Sequence, residues 1–186
     1  MGKPKISPKH RLIKEQRGKE FYYTPIEVVA LCLEELDINK NESVLDAGSG
    51  ENKVWFNTVN VDEKYECEIE DGCDFYKWAR KVDWVIGNPP FQEGWKFLEK
   101  ASRIARKGIA FLGNINFWNC LTPRRLSILA QRGFWINKIL ILEVPKWFGR
   151  YYFIIWTKNK RNWIKWVERK NEKDKGLLLW AFSEKV

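Results

Sequence analysis

Apolar positions along this chain recur at two periods, one suited to helices and one to strands. Over residues 25–36, Val28, Val29, Leu31, Cys32 and Leu36 fall on one helical face, and Pro25 suits the first turn, where no amide donor is needed. Ser43-Val44-Leu45-Asp46 reads as a short buried strand emptying into a glycine-rich turn, Ala47-Gly48-Ser49-Gly50. Residues 65–69 and 82–87 are two further strands, separated by a short helix over 75–80 that Asp74 would cap. Phe97, Leu98, Ala101, Ile104 and Ala105 share the face of another helix, which Gly108 is expected to end before a strand at 109–112. Thr122-Pro123 opens a helix as N-cap and first residue, Gly133 closes it, and strands at 135–142 and 151–157 follow closely enough to pair antiparallel. A last hairpin would join 163–167 to 177–182.

Strands alternating with helices predict an α/β fold with a mostly parallel sheet, an antiparallel strand near the C-terminus, and ligands beyond the carboxyl ends of the strands. The length, 186 residues, suits one domain. The expected organisation is a basic tail over 1–20 and a single domain over 21–186, with no separate target-recognition domain. A hydrophobic content of 45% agrees with a packed core. No run approaches about 18 apolar residues, and the Lys-rich start lacks an apolar signal core, so an intracellular protein without membrane contact is expected.

Composition narrows the chemistry. Cys32, Cys67, Cys73 and Cys120 form no C-x-x-C pair, which argues against structural zinc and predicts reduced, mostly buried thiols, the six-residue spacing of Cys67 and Cys73 included. The single histidine, His10, lies in the basic tail. Ser-His-Asp and Cys-His mechanisms therefore lack a base, and no His-rich metal site can be assembled. No metal is expected.

The loop Asn88-Pro89-Pro90-Phe91 carries the sharpest signal. A residue before proline is driven out of the α region, so Asn88 and Pro89 are held extended. Neither proline has an N–H, which makes the loop rich in acceptors. An exocyclic amine such as adenine N6 is a poor nucleophile, because its lone pair is delocalised into the ring. Two acceptors on its hydrogens, the Asn88 side-chain oxygen and the Pro89 carbonyl, would favour the pyramidal, reactive form. Phe91 offers a face on which a base can stack. A plain strand-ending turn is the competing reading.

The Gly48 turn suggests a nucleotide-type cofactor. Asp46 and Glu51 flank it and would repel a pyrophosphate, and Lys53 stands where the third glycine of G-x-G-x-x-G belongs. A cofactor with ammonium and sulfonium groups, S-adenosylmethionine, fits the acidic turn better. Glu68, 22 positions beyond Asp46, matches the spacing of an acid that meets ribose hydroxyls. Asp74 and Phe75 would meet the adenine moiety of the cofactor, although Asp74 serves equally well as a helix cap.

In this order the segments resemble the S-adenosylmethionine-dependent N6-adenine DNA methyltransferases with an Asn-Pro-Pro-Phe or Asn-Pro-Pro-Tyr loop. The resemblance covers about residues 21–158 and implies a Rossmann-like class I methyltransferase fold. Tyr23-Thr24-Pro25 looks like the family's N-terminal cofactor motif, and the run from Asp46 through Gly48 to Gly50 looks like its glycine-rich motif. The likeness implies that Asn88, Pro89, Pro90 and Phe91 form the catalytic loop, with Asn88 also beside the cofactor. Sequence-specific members usually carry a target-recognition region, for which this chain has little room.

Charge points to the partner. Residues 1–20 contribute +5 and 146–175 contribute +7 to a formal net charge of +9, so the remainder carries −3. Basic ends around an acidic middle suit a nucleic acid outside and a cationic cofactor inside. Lys146, Trp147 and Arg150 interleave bases with aromatics and are nucleic-acid contact candidates, with hairpin packing the rival role for Trp147. Duplex DNA is the first expectation for the substrate, RNA the second and a protein glutamine amide the third. A non-catalytic nucleic-acid-binding module and an NAD-dependent oxidoreductase are the rival classes. A homodimer or a separate specificity subunit would supply the missing recognition surface.

Overall fold

A computed structural model of the chain describes residues 24–159 and the strands Trp163–Arg169 and Leu177–Ala181. Tyr23, the segment 1–20 with His10, and Phe182 lie outside the described residues.

In chain order the elements are α1 (Ile26–Glu34), β1 (Ser43–Ala47), α2 (Val54–Thr58), β2 (Glu63–Cys67), a 3-10 turn (Phe75–Lys77), β3 (Val82–Gly87), α3 (Gly94–Ile104), β4 (Ala105–Asn114), α4 (Ile115–Asn119), α5 (Pro123–Gln131), β5 (Trp135–Glu143), β6 (Arg150–Thr157), β7 (Trp163–Arg169) and β8 (Leu177–Ala181). The strands form one sheet in the order β2-β1-β3-β4-β6-β5-β7-β8. From β2 to β4 all pairing is parallel. β6 then runs antiparallel between β4 and β5, β7 returns parallel to β5, and β8 is antiparallel to β7. This is the expected α/β sheet, mostly parallel with antiparallel pairing toward the C-terminus. The paired strands at 135–142 and 151–157 and the final hairpin also appear, the latter as backbone pairing of β7 and β8.

Each face of the sheet buries its own core. On one face Val28, Val29 and Cys32 of α1 pack with Val44, Trp84, Ile86, Phe153 and Trp55. On the other, Phe97, Leu98, Ala101 and Ile104 of α3 meet Leu45, Val85, Ile109 and Phe111. Burying each such side chain stabilises by about 1.5–3 kcal/mol. β1 is buried along its whole length, as a central parallel strand covered on both faces must be. At the opposite end from the carboxyl termini, buried Glu42 accepts from Trp84 Nε1 at 2.8 Å and pairs with Lys107, fixing β1, β3 and β4 in register.

Three expectations need correction. Gly108 does not end a helix: α3 stops at Ile104, and Gly108 sits inside β4, where a Cβ would come within 2.1 Å of the Trp84 ring. The 75–80 helix shortens to a single 3-10 turn, though Asp74 caps it as expected, its Oδ1 accepting from Tyr76 N at 2.9 Å. The short helices α2 and α4 gave no periodic signal. Cys67 and Cys73 are not reduced thiols but a disulfide, because the turn at Gly72 folds the chain back to a Cα–Cα distance of 5.1 Å, while Cys32 and Cys120 are free. Among the described residues no helix is long and apolar enough to cross a membrane.

Candidate functional site

β1 and β3 lie side by side, with Asp46 opposite Ile86, so the glycine turn and the Asn88 loop leave neighbouring strand ends. Gly48 and Gly50 take φ of +72° and +65°, and Gly48 N donates to Cys67 O at 2.8 Å, docking the turn on the end of β2. Lys53, at the place of the absent third glycine, also has a positive φ of +47°. At Gly87, φ +140°, a Cβ would stand 2.9 Å from Ala47 O and 3.0 Å from Asp46 Oδ1. Only glycine lets β3 pass so close to β1 immediately before Asn88.

Thr24, Gly48, Gly50, Glu68, Asp74, Phe75 and the whole run Asn88-Pro89-Pro90-Phe91 line one cavity of about 350 Å³. That is a volume ordinary for a small-molecule site. Pro25 and Asp46 stand behind its wall. Asn88 Nδ2 donates to the buried Thr24 Oγ1 at 3.4 Å, and the amide oxygen is itself buried. Pro89 is buried, and the Pro90 carbonyl accepts from Glu93 N at 2.9 Å as the chain turns into α3. The Phe91 ring lies 6.0 Å from that of Tyr151.

The wall toward β2 is dense in carboxylates. Glu68 accepts from Gly50 N at 2.7 Å and from Ile69 N at 2.9 Å, so it clamps the glycine turn. Glu66 accepts from Ser49 Oγ and from Lys53 Nζ, which also pairs with Asp71 at 2.9 Å. Asp46 is 1% exposed; its Oδ2 accepts from Phe56 N at 3.0 Å and its Oδ1 has no hydrogen-bond partner. Burial pushes its carboxyl up to about 8, with Glu66 and Glu68 adding to the rise against the Phe56 N–H.

Several lining residues carried no functional signal in the sequence. Phe97, read as helix core, stacks on Phe75 at 4.9 Å, and Tyr76 meets its edge at 5.4 Å. Tyr76 donates its hydroxyl to Glu93 at 2.6 Å, a bridge across the cavity. Burial and the Glu93 hydrogen bond raise the Tyr76 hydroxyl, while Tyr76 and Lys96 hold the Glu93 carboxyl below its usual range. Trp55 and the Cys67–Cys73 disulfide complete the lining. Of the nucleic-acid candidates, none lines the cavity, but the Trp147 ring lies 4.7 Å from Tyr151 and so joins the rings beside Phe91. Lys146 and Arg150 are exposed on the same turn.

No family model and no curated protein matches the sequence. Solved structures do. Magnesium protoporphyrin IX methyltransferase from Synechocystis, with bound S-adenosylhomocysteine, is 13% identical, with 85% of this chain and 90% of that one covered and a TM-score of 0.53. A candidate RNA methyltransferase from Pyrococcus horikoshii is 20% identical over 73% of this chain and 82% of its own, with a TM-score of 0.52. The modification subunit of a candidate type I restriction enzyme from Vibrio vulnificus is 13% identical, at 88% and 51% coverage and a TM-score of 0.57. The fold is that of the class I methyltransferases.

Proposed function

We propose that the protein is an S-adenosylmethionine-dependent methyltransferase acting on the exocyclic N6 amine of adenine in DNA. One observation carries this reading: the Asn88-Pro89-Pro90-Phe91 loop and the Gly48–Gly50 turn open into the same cavity from adjacent strand ends. The methyltransferase fold and the acidic wall support the cofactor. The turn of two positive-φ glycines fits a ligand closely approached by backbone, and the carboxylates of Glu68 and Asp74 on the lining fit a cationic one.

Bound S-adenosylmethionine would supply an electrophilic methyl group on sulfur. The glycine turn would hold it, with Glu68, whose oxygens each retain a lone pair for ribose hydroxyls, and with Asp74 and Phe75 at the base. Asn88 and Pro89 accept the two hydrogens of the target amine and localise the lone pair on nitrogen, and Thr24 fixes the Asn88 amide for that task. Phe91 stacks on the target base. Holding the amine at near-attack distance turns the encounter into an effectively unimolecular step. The methyl would pass from sulfur to the amine nitrogen, whose surplus proton would leave to solvent past the Asn88 and Pro89 acceptors. An adenine within a duplex must first leave the stack, at a cost of about a few kcal/mol.

A second reading, an RNA base amine as acceptor, uses the same residues and is favoured by the likeness to the Pyrococcus horikoshii protein. Transfer of isotopically labelled methyl to duplex DNA and to RNA, followed by nucleoside digestion and mass spectrometry, separates the two. Label in N6-methyladenine from DNA is the expected result. Label from RNA alone would keep the chemistry and change the substrate, and label in neither would defeat the proposal.

A further inference from the structure

Among the described residues the large hydrophobic side chains exposed to solvent are Ile26, Ile69, Tyr76, Ile115 and Phe148. All five stand around the carboxyl end of the sheet. Ile26 opens α1 beside Thr24, Ile69 and Tyr76 line the cavity, Ile115 follows β4, and Phe148 lies in the turn from β5 to β6. An apolar rim around a cavity marks a face that meets a large partner.

Charge divides that rim. Residues 66–74 contain five carboxylates; Lys53 pairs with two of them, Glu66 and Asp71, and Lys77 with Asp74, so this side stays net acidic. Segments 114–125 and 143–151, across the cavity, contain four arginines and lysines and one carboxylate, Glu143, which stands opposite Arg150 in the β5–β6 register. A polyanion is repelled by the first side and attracted by the second. Phe148 crowns the attractive side. It is 74% exposed, yet its carbonyl accepts from Tyr151 Oη at 3.4 Å, and Tyr151 touches both Trp147 and Phe91. The ring thus projects from a base tied to the catalytic loop.

We infer that nucleic acid crosses the rim on the β4–β6 side alone, and that Phe148 enters the duplex there, filling the stack that the target base vacates. This rests on the DNA reading of the same site. Apolar wedges between base steps are a general means of opening a duplex. A wedge is needed only where there is a stack to open, so its loss has a signature that a merely structural role lacks.

The test compares methyl transfer to a duplex and to the single strand of the same sequence. For Phe148→Ala, kcat/KM on the duplex should fall by about 30-fold or more, while on the single strand it changes by less than about threefold, and Phe148→Trp should restore the duplex rate. Equal losses on both substrates, or none, would overturn the inference. Binding measured without turnover keeps the two proposals separable. The protein should prefer a duplex with an abasic gap over an intact one, and Phe148→Ala should abolish that preference even if no methyl is transferred. Arg150→Glu should weaken duplex binding, whereas Glu70→Gln should leave it unchanged. The reverse pattern, or absence of duplex binding, would also overturn the inference.

Discussion

The two walls of the cavity are held in different ways. Toward β2, carboxylates are pinned by donors: Glu68 by the Gly50 amide, Glu66 by Ser49 and Lys53, and Asp74 by the Tyr76 amide. Toward β6, two prolines and a succession of rings from Phe91 through Tyr151 to Trp147 shape the loop. A wall of charged hydrogen bonds responds to protons and to an incoming cation. Under the proposed function, binding falls to the first wall and chemistry to the second, so the two can be perturbed separately.

The widest separation should come from Asn88→Ala. Removing one of the two acceptors should lower kcat on the order of 100- to 1000-fold, with cofactor affinity changed by less than about threefold. Transfer assays beside calorimetric titration check this, and a parallel fall in both would show that the walls are not independent.

Asp46→Asn acts on the other wall. The folded protein holds the Asp46 proton up to about pH 8, against an ordinary value of 3.8, so between these limits the native state binds a proton that the unfolded chain has lost. Stability from this group is therefore full in acid and is lost as pH rises toward 8. The asparagine variant, which keeps an acceptor for Phe56 N, should gain on the parent as pH rises, by a few kcal/mol at pH 8, and converge with it near pH 4. Urea unfolding across that range would show a flat difference if the raised pKa were absent.

Breaking the disulfide is a smaller perturbation. Cys73→Ser frees a loop closed by a sequence separation of only 6, so unfolding free energy should drop by about 2 kcal/mol, read against the parent in oxidising buffer. The mildest change is Tyr76→Phe, which removes the one hydroxyl bridging the two walls. Cofactor affinity should weaken by about threefold with kcat unchanged, since a part-exposed hydrogen bond contributes modestly.

Both loops at the heart of the site were legible in the sequence because their information is local. Two prolines after an asparagine, and two glycines after a buried strand, dictate backbone shape within a few residues. What the sequence did not disclose is non-local. Phe97 and Trp55 obey ordinary core periodicity, and only the meeting of α3 and α2 with neighbouring strands turns them into cavity wall. Gly108 looked like a helix stop because nothing nearby announces that Trp84 lies across it. Cys67 and Cys73 lack a recognised spacing, and their pairing follows from the Gly72 turn. Asp46 reads as a ligand contact, but its strand carries it beneath the turn, where it acts through burial.

Among the described residues β2 ends the sheet on one side, and a strand at such an edge invites another chain to zip onto it. Here that flank bears Glu63, Lys64 and Glu66, with Arg80 laid over the Tyr65 ring and paired to Glu63. The charges that line the approach to the cavity thus continue along the rim of the sheet as a barrier to self-association. A concentrated solution of this protein should stay clear for as long as those side chains remain ionised.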